Sequence, residues 1–213
     1  MAELKSPYFN FELCTHVLLE PRQLNNNLYI NLKENLKKKV ENKCVKYGYI
    51  TNIYKINEYN EGILEPENFS GDVKYAVKYT ARLCNPIENT SIICKVENIN
   101  KILVKAVNGP IIMIIKKNDI NTTIFKTNNK GEIKYKDNLL KINDYIIVNV
   151  IAKKLNYNDI RICTIGFLDR IPTQKEIDKY FEQNIEIDED IINLNNNKDP
   201  LSSVSKDNTT DSS

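Results

Sequence analysis

The sequence predicts an α+β protein: a small α+β domain over residues 1–78, a β-barrel over 79–170, and an acidic, largely disordered tail with a short helix over 171–213. Three observations carry this reading. Leu24, Leu28, Leu32, Leu36 and Val40 recur at four-residue spacing, which places one apolar stripe on a helix. Most other apolar residues fall in short runs rich in Ile, Val and Tyr, separated by turn residues, as in β-structure. The charge changes sign: residues 1–170 carry 26 Lys and Arg against 18 Asp and Glu (+8), residues 171–213 carry 4 against 10 (−6), and the two give the chain's +2.

Residues 8–20 (YFNFELCTHVLLE) alternate partly, carry aromatic and β-branched side chains, and stop at Pro21, which predicts a strand. The helix follows, with Asn25–Asn27 as cap candidates and Lys33, Lys37 and Lys38 away from the stripe. Such a stripe must be buried, most simply against a sheet. Tyr47–Ile56 and Val73–Leu83 supply strands for that sheet, with turns expected at Glu58–Gly62 and Pro66–Gly71.

Beyond about residue 76 the chain becomes a series of short strands: Tyr75–Leu83, Ser91–Val96, Ile102–Val107, Ile111–Ile115, Tyr145–Ala152 and Arg161–Phe167. Asn108–Gly109 is a hairpin signal, and Asn128–Gly131 marks a turn inside a polar insertion of about twenty-five residues. Five or six short strands with one longer connection suit the OB type of Greek-key barrel, with a β-sandwich fragment as the alternative. Pro172–Gln183 (PTQKEIDKYFEQ) predicts a short helix bearing Ile177, Tyr180 and Phe181, and the stretch Asn195–Ser213 (NNNKDPLSSVSKDNTTDSS) is polar and nearly free of apolar residues.

Composition excludes several classes. At 41% hydrophobic the chain can build a core, and no apolar run approaches the roughly 18–20 residues that cross a bilayer, so a soluble intracellular protein without a membrane partner is expected. Cys14, Cys44, Cys84, Cys94 and Cys163 form no Cys-x-x-Cys pair, and His16 is the one histidine, so buried free thiols are expected rather than a metal site. His16, in an apolar run, is expected to be a packed strand residue. Asn, Ile and Lys number 31, 30 and 26, a usage that points to an AT-rich genome such as that of a large DNA virus or a protist.

Phosphate-binding glycine loops and a nucleophile elbow are absent, and a single histidine leaves little for Ser–His or Cys–His catalysis. The acids Asp188–Asp190 read as a solvated run in the tail. No catalytic site and no cofactor are expected. A basic body with an acidic tail suits contact with nucleic acid, or equally a solvated surface with a solubilising tail.

One stretch resembles a known family. CVKYGYI (Cys44–Ile50), EGILEP (Glu61–Pro66), GDVKYAVKYTARLCNP (Gly71–Pro86) and NGP (Asn108–Pro110) follow one another between a helix and a basic strand set. That order resembles the seventh-largest subunit of eukaryotic RNA polymerase II and its archaeal counterpart, which form a stalk with a small partner subunit. The resemblance covers about residues 7–170. It implies a ribonucleoprotein-like first domain docking on the large and small core subunits, with Tyr47, Gly48, Tyr49, Ile50, Gly62, Ile63, Leu64 and Pro66 at the matching positions. In the bland alternative, Gly62 is an ordinary turn and Ile63 and Leu64 are core.

The resemblance also implies an OB barrel that meets emerging RNA. Its cationic candidates are Lys95, Lys101, Lys105, Lys116, Lys117, Lys153, Lys154 and Arg161. The barrel departs from the family: no aromatic lies between Tyr79 and Phe125, Asn100-Lys101-Ile102 replaces the glycine–aromatic pattern, and Asn89 stands near a missing loop glycine. Weak, nonspecific phosphate binding to nascent RNA is therefore the expectation. The extra tail and codon usage favour a large DNA virus, with action in the virion and host cytoplasm, whereas a cellular protein of this kind would be nuclear. A free-standing OB-fold RNA-binding protein and a virion scaffold are the competing readings.

Overall fold

The computed structural model describes residues 3–182 apart from 67–68, 129–131 and 137. The described residues are mostly β-strand, with two α-helices and one closed five-stranded barrel.

The first sheet is built from β1 (Tyr8–Leu19), β2 (Cys44–Val45), β3 (Gly48–Tyr59), β4 (Ile63–Leu64) and β5 (Val73–Cys84). Its order is β1-β5-β3-β2, with β4 extending the β3 side of β5. β1 and β5 pair without a slip from Tyr8↔Cys84 to Leu19↔Val73. β3 meets β5 with three register shifts, and such bulges bend and twist a long strand around its partner.

Helix α1 (Leu28–Val40) lies on one face of this sheet. Leu32, Leu36 and Val40 are buried against Leu13, Val17, Ile50, Ile53 and Val77, each worth about 1.5–3 kcal/mol of apolar transfer. Leu24 is not part of the stripe, because it precedes the helix and is exposed. Asn27 is the N-cap residue but makes no side-chain cap bond; Asn25 Oδ1 instead accepts from the Asn27 N–H and from Asn31 Nδ2. Lys33, expected away from the packed side, reaches across to donate to the Tyr54 carbonyl at 2.9 Å, and burial lowers its pKa. His16 is exposed rather than packed, since it lies on the sheet face opposite α1.

The barrel comprises β6 (Ser91–Ile99), β7 (Leu103–Asn108), β8 (Ile111–Lys116), β12 (Tyr145–Lys154) and β13 (Ile162–Arg170). It closes in the order β12-β13-β8-β7-β6. All neighbours are antiparallel except β8 and β13, which run parallel. Numbered along the chain, the barrel strands close as 1-2-3-5-4, a pattern that fits an OB-like barrel. The Asn-Gly signal is displaced by one residue: Asn108 still pairs with Ile111, so Gly109 and Pro110 form the turn, with Gly109 at φ 56°.

The insertion between β8 and β12 is not simply polar. It forms a small sheet from β9 (Phe125–Thr127), β10 (Ile133–Tyr135) and β11 (Asn138–Leu139), which delivers Phe125, Ile133 and Leu140 into the barrel core. The residues of the turn expected at Asn128–Gly131 lie partly outside the described set; Asn128 N–H donates to the Glu132 carbonyl.

The two cores meet. β5 continues through residue 78 as far as Cys84, and Cys44, Tyr49 and Cys84 belong to the barrel's apolar cluster. The loop between β12 and β13 is tied to β2, with Cys44 N–H donating to the Asp159 carbonyl and Asn158 N–H to the Cys44 carbonyl. A second helix, α2, spans residues 174–182 and covers Ile93 and Ile147 with Ile177 and Tyr180. Residues 183–213, including Asp188–Asp190, lie outside the described set.

Candidate functional site

The first candidate surface lies at the end of the N-terminal sheet. Ile63 and Leu64 in β4 are 63% and 59% exposed, so the alternative that they are core does not hold. Their strand pairs with Lys74 and Val73, the residues that also pair with Leu18 and Leu19 of β1. Leu18 and Phe69 are exposed as well, the latter completely. Pro66 is exposed beside them, so the tip carries apolar side chains that the chain itself does not cover. Phe69 was missed from the sequence, although a phenylalanine between polar loop residues was the signal.

The other docking candidates divide. Tyr47 is exposed and stacks obliquely on Phe11, with centroids 6.2 Å apart. Gly48, Tyr49 and Ile50 are buried inside this chain. Gly48 sits at φ 150°, where a Cβ would stand 2.9 Å from the Cys84 carbonyl oxygen. This close approach is to its own chain, where sheet passes into barrel.

The second surface is the outer face of β7, β8 and β13. Pairing places Lys95, Val107, Ile112 and Cys163 in one outward row, and Lys105, Ile114 and Ile165 in the next. Leu103 and Lys116 follow. Lys95, Lys101, Lys116, Lys154 and Arg161 are exposed. Lys105 is engaged by Glu97 at 2.7 Å, and this contact holds the Glu97 carboxyl below the usual range. Lys117 is half-buried in the turn after β8. Lys153 is a structural tie, its ammonium donating to Asn85 Oδ1 at 2.5 Å and to the Pro86 carbonyl at 2.9 Å.

Strands β6, β7 and β8 carry no aromatic side chain, whereas β12 and β13 carry Tyr145 and Phe167. Tyr157, on the β12–β13 loop, is 67% exposed. A cleft of about 590 Å³ at the junction is lined by Tyr8, Tyr49, Gly109, Pro110, Ile160 and Arg161. Asn89 adopts φ 63°, a left-handed conformation that asparagine tolerates better than most L-residues.

Thiol chemistry finds no support at the buried positions. Burial pushes the Cys44 and Cys84 thiols up to about 11 and 12, away from the reactive thiolate. Cys14 and Cys163 are exposed, which corrects the expectation that all five are buried. Among the described residues no group of three or more His, Cys, Asp or Glu could hold a metal ion, and no helix is long and apolar enough to cross a membrane.

An OB-like barrel with a cationic outer face, joined to a helix-backed sheet with an apolar tip, presents two candidate contact surfaces. The chain is 41% identical over 178 residues to a protein of Acanthamoeba polyphaga mimivirus named as a DNA-directed RNA polymerase subunit, covering 83% of this chain and 89% of that relative. No family model matches. The chain belongs to this family of viral DNA-directed RNA polymerase subunits.

Proposed function

We propose that the chain is the noncatalytic stalk subunit of a viral multisubunit RNA polymerase, acting in the virion and host cytoplasm. Residues 1–78 form its ribonucleoprotein-like docking domain, residues 79–170 its RNA-contacting barrel and residues 171–213 its appended tail. The apolar tip of Ile63, Leu64, Pro66 and Phe69 seats on the core subunits, and a small stalk partner joins the same assembly. The observation that carries this reading is the exposure of Ile63 and Leu64 on a strand of the first sheet, in a chain whose relative is named as a polymerase subunit.

The barrel contacts emerging RNA weakly, through phosphates. Five exposed cations, Lys95, Lys101, Lys116, Lys154 and Arg161, stand on or beside one outer face. If all five meet phosphate, the log of affinity falls against log salt with a slope of about −3.5. Lys116→Glu then flattens that slope by about 0.7. A salt-insensitive or absent affinity for single-stranded RNA removes this half of the proposal.

The docking half is tested with the tagged chain purified from infected cells at moderate salt, beside an Ile63→Asp/Leu64→Asp variant. These positions are exposed, so the substitution spares the fold; Gly62 is left alone because a Cβ there would meet Val73 and Tyr75 at 2.4 and 2.6 Å. Large polymerase subunits are expected with the wild type and absent from the variant. Their absence from both, with RNA or ribosomal proteins in their place, establishes instead a free-standing OB-fold RNA-binding protein.

A further inference from the structure

We propose that residues 183–194 of this chain fold back over the outer face of β7, β8 and β13 and occupy it when no nucleic acid is present. The regulatory consequence, competition with RNA, rests on the RNA contact proposed above, whereas the docking itself does not.

The end of α2 sets the starting point. The Phe181 ring packs on Tyr145 with centroids 5.7 Å apart, and the Tyr180 hydroxyl accepts from Asn108 Nδ2 at 3.1 Å. Tyr145 is the β12 partner of Lys95, and Lys95 is the β6 partner of Val107. The chain therefore leaves α2 beside the first outward row of this face. Twelve extended residues reach about 40 Å. Crossing from β6 to β13 needs three strand spacings, about 15 Å.

The surface and the segment are complementary. Val107, Ile112, Ile114 and Ile165 make an apolar strip that is only partly covered, Ile165 being 39% exposed. Lys95, Lys116, Lys154 and Arg161 surround it. The segment reads Asn184-Ile185-Glu186-Ile187-Asp188-Glu189-Asp190-Ile191-Ile192-Asn193-Leu194, with apolar and acidic residues alternating at its start. In an extended strand Ile185 and Ile187 share one side while Glu186 and Asp188 share the other. A tail that served solubility alone would need the acids and not the isoleucines.

A photo-crosslinking p-benzoylphenylalanine placed at Ile187 of the full chain tests the docking directly. Crosslinks within residues 103–116 or 162–170 of the same molecule are expected. Crosslinks to other parts of the chain, to a second copy, or none at all overturn the proposal. The charge-neutral variant Ile185→Ser/Ile191→Ser/Ile192→Ser should lose the crosslink and bind a single-stranded uridine 20-mer at least threefold more tightly than wild type at low salt. If the crosslink forms and no variant binds the oligonucleotide, the tail docks and the RNA reading falls. If the oligonucleotide binds with an unchanged affinity and the crosslink is absent, the RNA reading stands and the tail proposal falls.

Discussion

Single residues fasten the two halves of this protein, and two of them carry sharp predictions. Gly48 holds a conformation that L-residues rarely adopt, and an added Cβ presses on the backbone at Cys84. Gly48→Ala is expected to lower stability by about 1–3 kcal/mol, read as a shift of the urea midpoint at constant slope. Asn108 is buried at the end of β7, where its amide donates to the Ile93 carbonyl at 2.7 Å and meets the Tyr180 hydroxyl, while its Oδ1 accepts from Tyr8 at 3.3 Å. One amide thus joins β6, β7, α2 and the start of β1. Asn108→Ala leaves several buried polar groups without this partner and is expected to cost about 2–4 kcal/mol, with increased amide exchange in α2. An effect below about 0.5 kcal/mol would show that water replaces the amide at no cost.

At the scale of elements, α2 is anchored at its first turn as well as by Ile177 and Tyr180. Thr173 and Glu176 form a capping pair, the Thr173 N–H donating to Glu176 Oε2 at 2.8 Å, and Arg170 grips the same carboxylate through both guanidinium nitrogens at 2.6 and 2.9 Å. The Arg170 contact and then the Thr173 N–H hold the Glu176 pKa down at about 2. A carboxyl depressed in the folded state contributes stability above its unfolded pKa of about 4.3, and that contribution is lost as pH falls towards 2. The helix is therefore expected to loosen from the barrel between about pH 4 and pH 2, and Glu176→Gln to be loose already at neutral pH, both visible as faster amide exchange over residues 174–182. The strands and α1 were legible because their apolar periods are unbroken over six residues or more. The β9–β11 sheet was not, since strands of two or three residues between polar neighbours carry too short a period to read. The cations were legible as residue types, but the engagement of Lys153 by Asn85 and of Lys105 by Glu97 depends on pairing and packing that local composition does not encode.

For the whole molecule, the sheet-plus-helix unit and the barrel share their boundary rather than a linker. Residues 3–5 of the N-terminus pair with Ser91 of the barrel, the Asn85 N–H donates to the Pro7 carbonyl, and the β12–β13 loop bonds to Cys44. Cys44, Tyr49 and Cys84 carry the apolar contact across the junction. Such a joint fixes where the barrel sits relative to the apolar tip of the first sheet, which a flexible linker would not. The expected outcome is a single cooperative unfolding transition, with circular dichroism and tyrosine fluorescence coinciding along a urea titration. Met113→Ala, deep in the barrel, extends the test: its cost of about 2–5 kcal/mol should lower the exchange protection of α1 by the same amount as that of β7 and β8. If α1 keeps its protection while the barrel loses it, the two halves unfold separately, and the joint positions the barrel without coupling its stability to the tip.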